Sequence, residues 1–144
     1  MLSLAQHAKL HQIKKQSLDI PRHEMPQIFT KNMDDFKKFL FDTQVSYFDQ
    51  DIHPSHLTAT QNQFNSDKIE RLMTNPTDAP IITSQDKYVV DGHHRFLAAL
   101  LGGEPHVKCI EIQLPIKELL SVLHTYDKVG YKSVNECKSL KVSQ

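Results

Sequence analysis

Residues 88–103 read YVVDGHHRFLAALLGG. Within them Asp91, Gly92, His93, His94 and Arg95 stand between a β-branched run and an apolar helix-forming run. A helix that starts just after a glycine turn presents unpaired backbone N–H groups and the positive end of its dipole, a combination that favours phosphate. Gly92 lets a ligand approach the backbone closely. Arg95, in the first helical turn, adds a planar fork suited to phosphate oxygens. His94 has the chemistry to donate to a phosphate or to shuttle a proton near neutral pH. Asp91, at the end of a strand, has the chemistry to hold Mg²⁺, to take a hydroxyl proton or to cap the helix. The same five residues also make an ordinary capping turn, and the pattern alone leaves both readings open. Two adjacent histidines point in different directions at most backbone geometries, which speaks against a metal site built from both. No second His/Asp/Glu cluster has a spacing that would complete one.

The elements that must position this turn follow from periodicity and punctuation. Residues 4–16 mix lysine, histidine and leucine and read as a weak helix. Residues 17–28, SLDIPRHEMPQI, carry two prolines five residues apart and should run extended, docked against something. Asn32 reads as an N-cap with Asp34 and Asp35 in the first turn, and Met33, Phe36, Phe39 and Leu40 share one face of a helix over about 32–42. A short strand is expected at 45–48 or 51–52, then a loop from Pro54. Ser66 or Asn65 caps a helix burying Ile69, Leu72 and Met73, and Asn75-Pro76 ends it. APIIT and KYVVD, joined by Ser84-Gln85-Asp86, predict a hairpin. A helix over 95–101 is stopped by Gly102-Gly103. VKCIEIQL predicts a further strand, and 116–124 another helix.

The fold class expected is α+β: a small mixed β-sheet with flanking helices, plus an N-terminal helical and extended extension. The chain divides into an extension at 1–44, the main domain at 45–126 and a polar, loosely ordered tail at 127–144. At 144 residues it is long enough for one domain that buries roughly two thirds of its unfolded surface. Seventeen basic residues balance seventeen acidic ones, so no global field draws it to nucleic acid or an acidic membrane. Neither a signal peptide nor a membrane-spanning run is read from the sequence. Cys109 and Cys137 form no CxxC or disulfide framework, which points to a reducing cytoplasm, with Cys109 a small core residue.

The order DIHPSHL, DKIERLM, APIIT, KYVVDGHHRFLAALLGG, VKCIEI, over residues 51–112, resembles the ParB/sulfiredoxin superfamily. The resemblance rests most on Asp91-Gly92-His93-His94-Arg95, with Ala98 and Leu100 behind it. It implies a strand, loop and helix, then a strand, a strand ending in a Gly-x-x-Arg turn, a helix and a further strand. Sulfiredoxins resemble Gly-Cys-His-Arg here, with cysteine the nucleophile; this chain has His93 at that position, which argues against sulfinic-acid reduction. Partition proteins carry a Gly-Glu-Arg-Arg type of box and a helix-turn-helix domain, for which this length leaves no room. The DGHHR form is similar to the superfamily's free serine kinases, where the turn holds nucleotide phosphates and the aspartate takes part in phosphoryl transfer. Those enzymes also use a glutamate in the loop after the first strand; residues 58–63 here, TATQNQ, have no carboxylate. Short stand-alone members, often phage-encoded, are labelled ParB-like nucleases, and the N-terminal extension is similar to theirs.

The resemblance therefore implies phosphate or nucleotide binding by Gly92, His93, His94, Arg95 and Gln61, with Asp91 and His94 catalytic. ATP or another nucleotide is the cofactor, with Mg²⁺ on Asp91. Phosphoryl transfer or nucleotide hydrolysis is the first reading. The alternatives are a nuclease acting on DNA and a binding module without turnover that recognises nucleic acid or protein. The partner is a phosphate-bearing ligand rather than a membrane, in the cytoplasm, or the host cytoplasm for a phage protein. Lys9, Lys14, Lys15, Arg22, Lys37 and Lys38 would form a basic patch if the N-terminal segments fold together. If the extension crosses the mouth of the cleft, Arg22 or Glu24 would supply the group missing from 58–63.

Overall fold

The computed structural model describes residues 1–131; Cys137 and the expected tail beyond 131 lie outside the described residues. Helix α1 (Leu4–Gln16) starts at a capping box in which the Ser3 side chain accepts from the Gln6 amide and the Gln6 side chain accepts from the Ser3 amide. The chain then runs beside residues 59–60, the Leu18 and Ile20 amides donating to the Ala59 and Thr60 carbonyls, and makes one 3₁₀ turn at Arg22–Glu24. Helix α2 (Met33–Asp42) follows a second 3₁₀ turn, Thr30–Asn32. Asn32 does occupy the N-cap position, but its side chain makes no capping bond there. Its backbone already turns with the 3₁₀ segment (φ −103°, ψ 12°) instead of taking the extended geometry that aims a capping side chain at the helix.

The short strand expected at 45–48 or 51–52 spans parts of both ranges as β1 (Tyr47–Ile52). A 3₁₀ turn at Pro54–His56 leads to β2 (Thr58–Ala59), a two-residue strand too short to show any alternation in the sequence. Asn65 caps α3 (Ser66–Thr74), its Oδ1 accepting from the Asp67 and Lys68 amides at 3.0 and 3.3 Å. Strands β3 (Ile81–Ser84) and β4 (Tyr88–Asp91) form the expected antiparallel hairpin, and Lys87 takes a positive φ of 70° in its turn. Helix α4 (His93–Leu101), strand β5 (Val107–Ile112) and helix α5 (Ile116–Leu123) complete the order.

The five strands make one mixed sheet in the order β1-β5-β3-β4-β2. The β1–β5 and β3–β4 pairs are antiparallel, and β3–β5 and β2–β4 are parallel. Alternate residues of each inner strand point to opposite faces. Ile81, Val89 and Cys109 join the core beneath α1, α3 and α4, while Ile82, Val90 and Ile110 join a second core beneath α2 and α5. The fold is thus α+β, a sheet between two helical layers. Residues 1–44 contribute to both layers: Leu10 and Ile13 of α1 enter one core, Phe36 and Leu40 of α2 the other. Residues 127–131 are held as well. Lys128 pairs with Asp35 at 2.8 Å, and Gln27 and Gly130 exchange two backbone hydrogen bonds at 2.8 and 2.9 Å.

Candidate functional site

Strand β4 delivers Asp91 to the sheet's end, and the chain turns into α4 through Gly92 at φ +99°, a conformation that favours glycine. A Cβ at this position would lie 2.8 Å from Arg95 Nη2 and 3.2 Å from Ile81 Cγ1. The turn therefore needs glycine twice, for its dihedral and so that the Arg95 guanidinium can lie over it. Helix α4 begins at His93, two residues earlier than the sequence predicts. Both histidines consequently sit in its first turn with their side chains inward, 3% and 5% exposed.

The two rings diverge, as expected for neighbours, and each is taken up by the loop between β2 and α3. His93 Nε2 accepts from the Thr60 amide at 3.1 Å and the Gln61 amide at 3.3 Å. His94 Nε2 accepts from the Asn65 amide at 3.0 Å. Burial, with the Arg22 charge next, drives both imidazoles toward the neutral form: His93 falls to about 3 and His94 lies well below 6.5. A neutral imidazole that accepts at Nε2 carries its proton on Nδ1. Both imidazoles are already engaged by protein, His93 Nε2 by the Thr60 and Gln61 amides and His94 Nε2 by the Asn65 amide. In a sequence, histidine reads as a surface or site residue, whereas here the pair staples a loop to a helix.

The turn floors a cleft of about 380 Å³. Residues 25–30 line it together with Lys68 and Leu72 of α3. Arg95 is partly buried and donates from Nη2 to the Pro80 carbonyl at 3.0 Å. Its Nε is shut off from solvent with no protein partner, and it makes no ion pair among the described residues. Asp91 Oδ2 accepts from the Ile28 amide at 2.9 Å. Burial holds its carboxyl above the usual range, against the opposing pull of the Ile28 amide and of Arg95. Gln61 also lines the cleft; it is 5% exposed, and its Nε2 donates to the Gln63 carbonyl at 2.8 Å. The expected residues Asp91, Gly92, His93, His94, Arg95 and Gln61 therefore do converge.

The N-terminal extension does cross this cleft, and its two candidate residues part company. Arg22, buried and anchored through its amide to Gln63 Oε1 at 2.8 Å, lines the cleft. Glu24 is exposed and turns away toward His23, Leu120 and His124, so it does not replace the carboxylate missing from 58–63. Lys68 is a cleft cation that the sequence reading did not single out. On α3 it looks like one more charge on a solvated face, and only its place in the first turn behind Asn65 carries a hint. The basic patch does not assemble. Lys9, Lys14 and Lys15 are exposed on α1, Lys37 and Lys38 belong to α2 on the opposite side of the sheet, and Arg22 is buried.

Among the described residues no group of three or more His, Cys, Asp or Glu side chains could hold a metal ion. Cys109 is buried on β5, its thiol pushed up to about 12 by burial and by Glu111, an unreactive core residue as expected. No helix among the described residues is long and apolar enough to cross a membrane.

No family model matches the sequence, and no curated protein matches it. From β1 to β5 the elements follow the order that the sequence resemblance implies, with the short β2 added. Among solved structures the chain is similar to a Pnob8-like ParB-N domain in its C2221 crystal form, with a TM-score of 0.46 and 16% identity. The match covers 68% of this chain and 44% of that one, so the chain spans less than half of that structure's length.

Proposed function

We propose that the chain binds a nucleotide or another phosphate-bearing ligand in the cleft at the Asp91–Arg95 turn and acts on it by phosphoryl transfer or hydrolysis. Arg95 carries this reading. It is a permanent cation in the cleft floor at a helix N-terminus, with one hydrogen bond to protein and a buried Nε that has no partner. A group so placed stands in need of an acceptor, and an anionic oxygen satisfies both its charge and its donors. Arg22 and Lys68 line the same cleft and add positive charge, and the first-turn amides of α4 add their share.

Asp91 is the carboxylate of the cleft lining. With one oxygen on the Ile28 amide and its pKa raised, it suits a group that accepts a proton from an attacking hydroxyl or water. Mg²⁺ fits as well, because that ion is commonly held by one or two carboxylates together with substrate phosphates. When bound it would neutralise phosphate charge. His93 and His94 shape the turn and keep the loop at 60–65 in place, and charge on the ligand falls to Arg95.

Calorimetry and thermal shift with ATP, ADP, CTP, AMP and a short DNA, with and without Mg²⁺, test this. A ligand at a hundred times its dissociation constant adds about 2.7 kcal/mol to stability. The expected result is binding of a nucleotide, weakened by about ten- to a hundred-fold in Arg95→Ala, the loss of one charge-assisted hydrogen bond. Asp91→Asn should keep the Ile28 contact and the binding while losing turnover, read as phosphate release. A response to DNA alone would replace this reading with the nuclease one. No response at all would make the turn a structural device.

A further inference from the structure

We infer that Phe29 is a stacking platform for a planar heterocycle, so that the phosphate-bearing ligand of the cleft is a nucleotide and not an inorganic or sugar phosphate. The inference rests on the phosphate reading above and adds the identity of the ligand's organic part. Phe29 lines the cleft and is 45% exposed, while the aliphatic residues about it, Met25 and Ile28, are 2% and 5% exposed. A large ring left in water beside a cationic floor is out of keeping with the rest of the wall. It also packs closely against backbone. Gly130 lies against it so closely that a Cβ there would fall 2.4 Å from Phe29 Cζ. Gln27, two residues back, is fixed to Gly130 by a pair of backbone bonds, and Ile28 is fixed to Asp91. The backbone leading to the ring is anchored, and the Phe29 carbonyl itself accepts from the Asn32 amide at 2.9 Å, which lowers the cost of ordering when a ligand arrives.

The remaining surface agrees with a flat apolar group. Pro26, Leu72 and Val90 line the same cleft. A cleft of about 380 Å³ lies within the range of sites that enclose a small organic ligand, roughly 300–1,000 Å³. Arg95 and Gly92 bind by charge and close backbone approach, and the exposed Phe29 ring of the same lining offers a π-face. Stacking of a base on an aromatic ring is tolerant of base identity, so this geometry predicts a nucleotide without choosing among the four bases.

The test is calorimetric titration of the full chain with ATP, GTP, CTP, UTP and inorganic tripolyphosphate, all with Mg²⁺. Wild type is compared with Phe29→Ala, Phe29→Tyr and Arg95→Ala, and the fold of each is checked by circular dichroism. The expected result is at least one nucleotide binding about ten-fold or more tighter than tripolyphosphate, in line with the worth of one stacked base. Phe29→Ala should bring that nucleotide down to the level of tripolyphosphate and leave tripolyphosphate unchanged, and Phe29→Tyr should restore the difference. Arg95→Ala should weaken both. Equal affinity for tripolyphosphate and every nucleotide, or a preference that survives in Phe29→Ala, overturns the stacking role and leaves the phosphate cleft standing. If neither tripolyphosphate nor any nucleotide binds wild type, the phosphate reading fails, and the platform fails with it.

Discussion

His93 titrates at about 3 in the folded chain against 6.5 for the free side chain, and His94 is shifted in the same direction. In the unfolded chain both take up protons near 6.5, so between about 6.5 and about 3 the unfolded state binds protons that the folded state refuses. Stability is therefore whole above the unfolded value and falls as pH drops, by at most about 1.4 kcal/mol per pH unit for each histidine. Asp91 works the other way. Its raised pKa means that just above 3.8 the folded state holds a proton the unfolded state has lost, which offsets part of the fall. Urea midpoints measured from pH 7.5 to 4.5 should decline with acidity, and His93→Gln should flatten the slope, since an amide oxygen can accept from the Thr60 and Gln61 amides without titrating. An unchanged slope in that variant would mean the acid sensitivity arises elsewhere. Gly92→Ala should destabilise by about 1–3 kcal/mol, and it should also weaken phosphate binding, because the added methyl group displaces the Arg95 fork.

The α3 element is where a short signal proved legible. Ser66 or Asn65 reads as the cap, and Asn65 is the one that caps; Asn65→Ala should cost about 1 kcal/mol in chemical denaturation. The change should reach the site as well, since the Asn65 amide donates to His94. The other boundaries were readable where a local rule acts alone, such as Gly102 and Gly103 after α4 or Pro76 after α3. They were misplaced where tertiary contacts decide. The start of α4 lies two residues before the one the sequence predicts because His93 and His94 look polar, and their burial depends on partners 33 and 29 residues away in the chain. Strand β2 has two residues, fixed by pairing to Tyr88 and Val89, and no alternation of its own. For the cleft, the DGHHR residues and Arg22 were visible by chemical type. Lys68 and Phe29 were not, because their roles depend on which elements face each other across a gap.

At the scale of the whole molecule, residues 1–44 are part of the core. They bury Leu10 and Ile13 on one face of the sheet and Met25, Ile28, Phe36 and Leu40 on the other. A chain lacking them should not unfold cooperatively and should expose enough apolar surface to bind a hydrophobic dye. Leu97→Ala and Leu119→Ala, both at 0% exposure but on opposite faces, should each cost about 2–5 kcal/mol. Each should shift one common transition, because the sheet is shared; two separate transitions would show that the faces melt independently.

The strand order has a kinetic consequence. Of the four neighbouring pairs in β1-β5-β3-β4-β2, one is a local hairpin; the others join segments far apart in the chain, the most distant being Tyr47 with Ile112. Each such pairing closes a long loop before any burial rewards it, which places refolding toward the slower part of the range for domains of this size. The cleft cannot exist before β4 and β2 meet, since that pairing brings Thr60 and Gln61 to His93. During refolding, the capacity to bind an anion should thus return together with the long-range pairings of the sheet, later than the bulk of the helical signal.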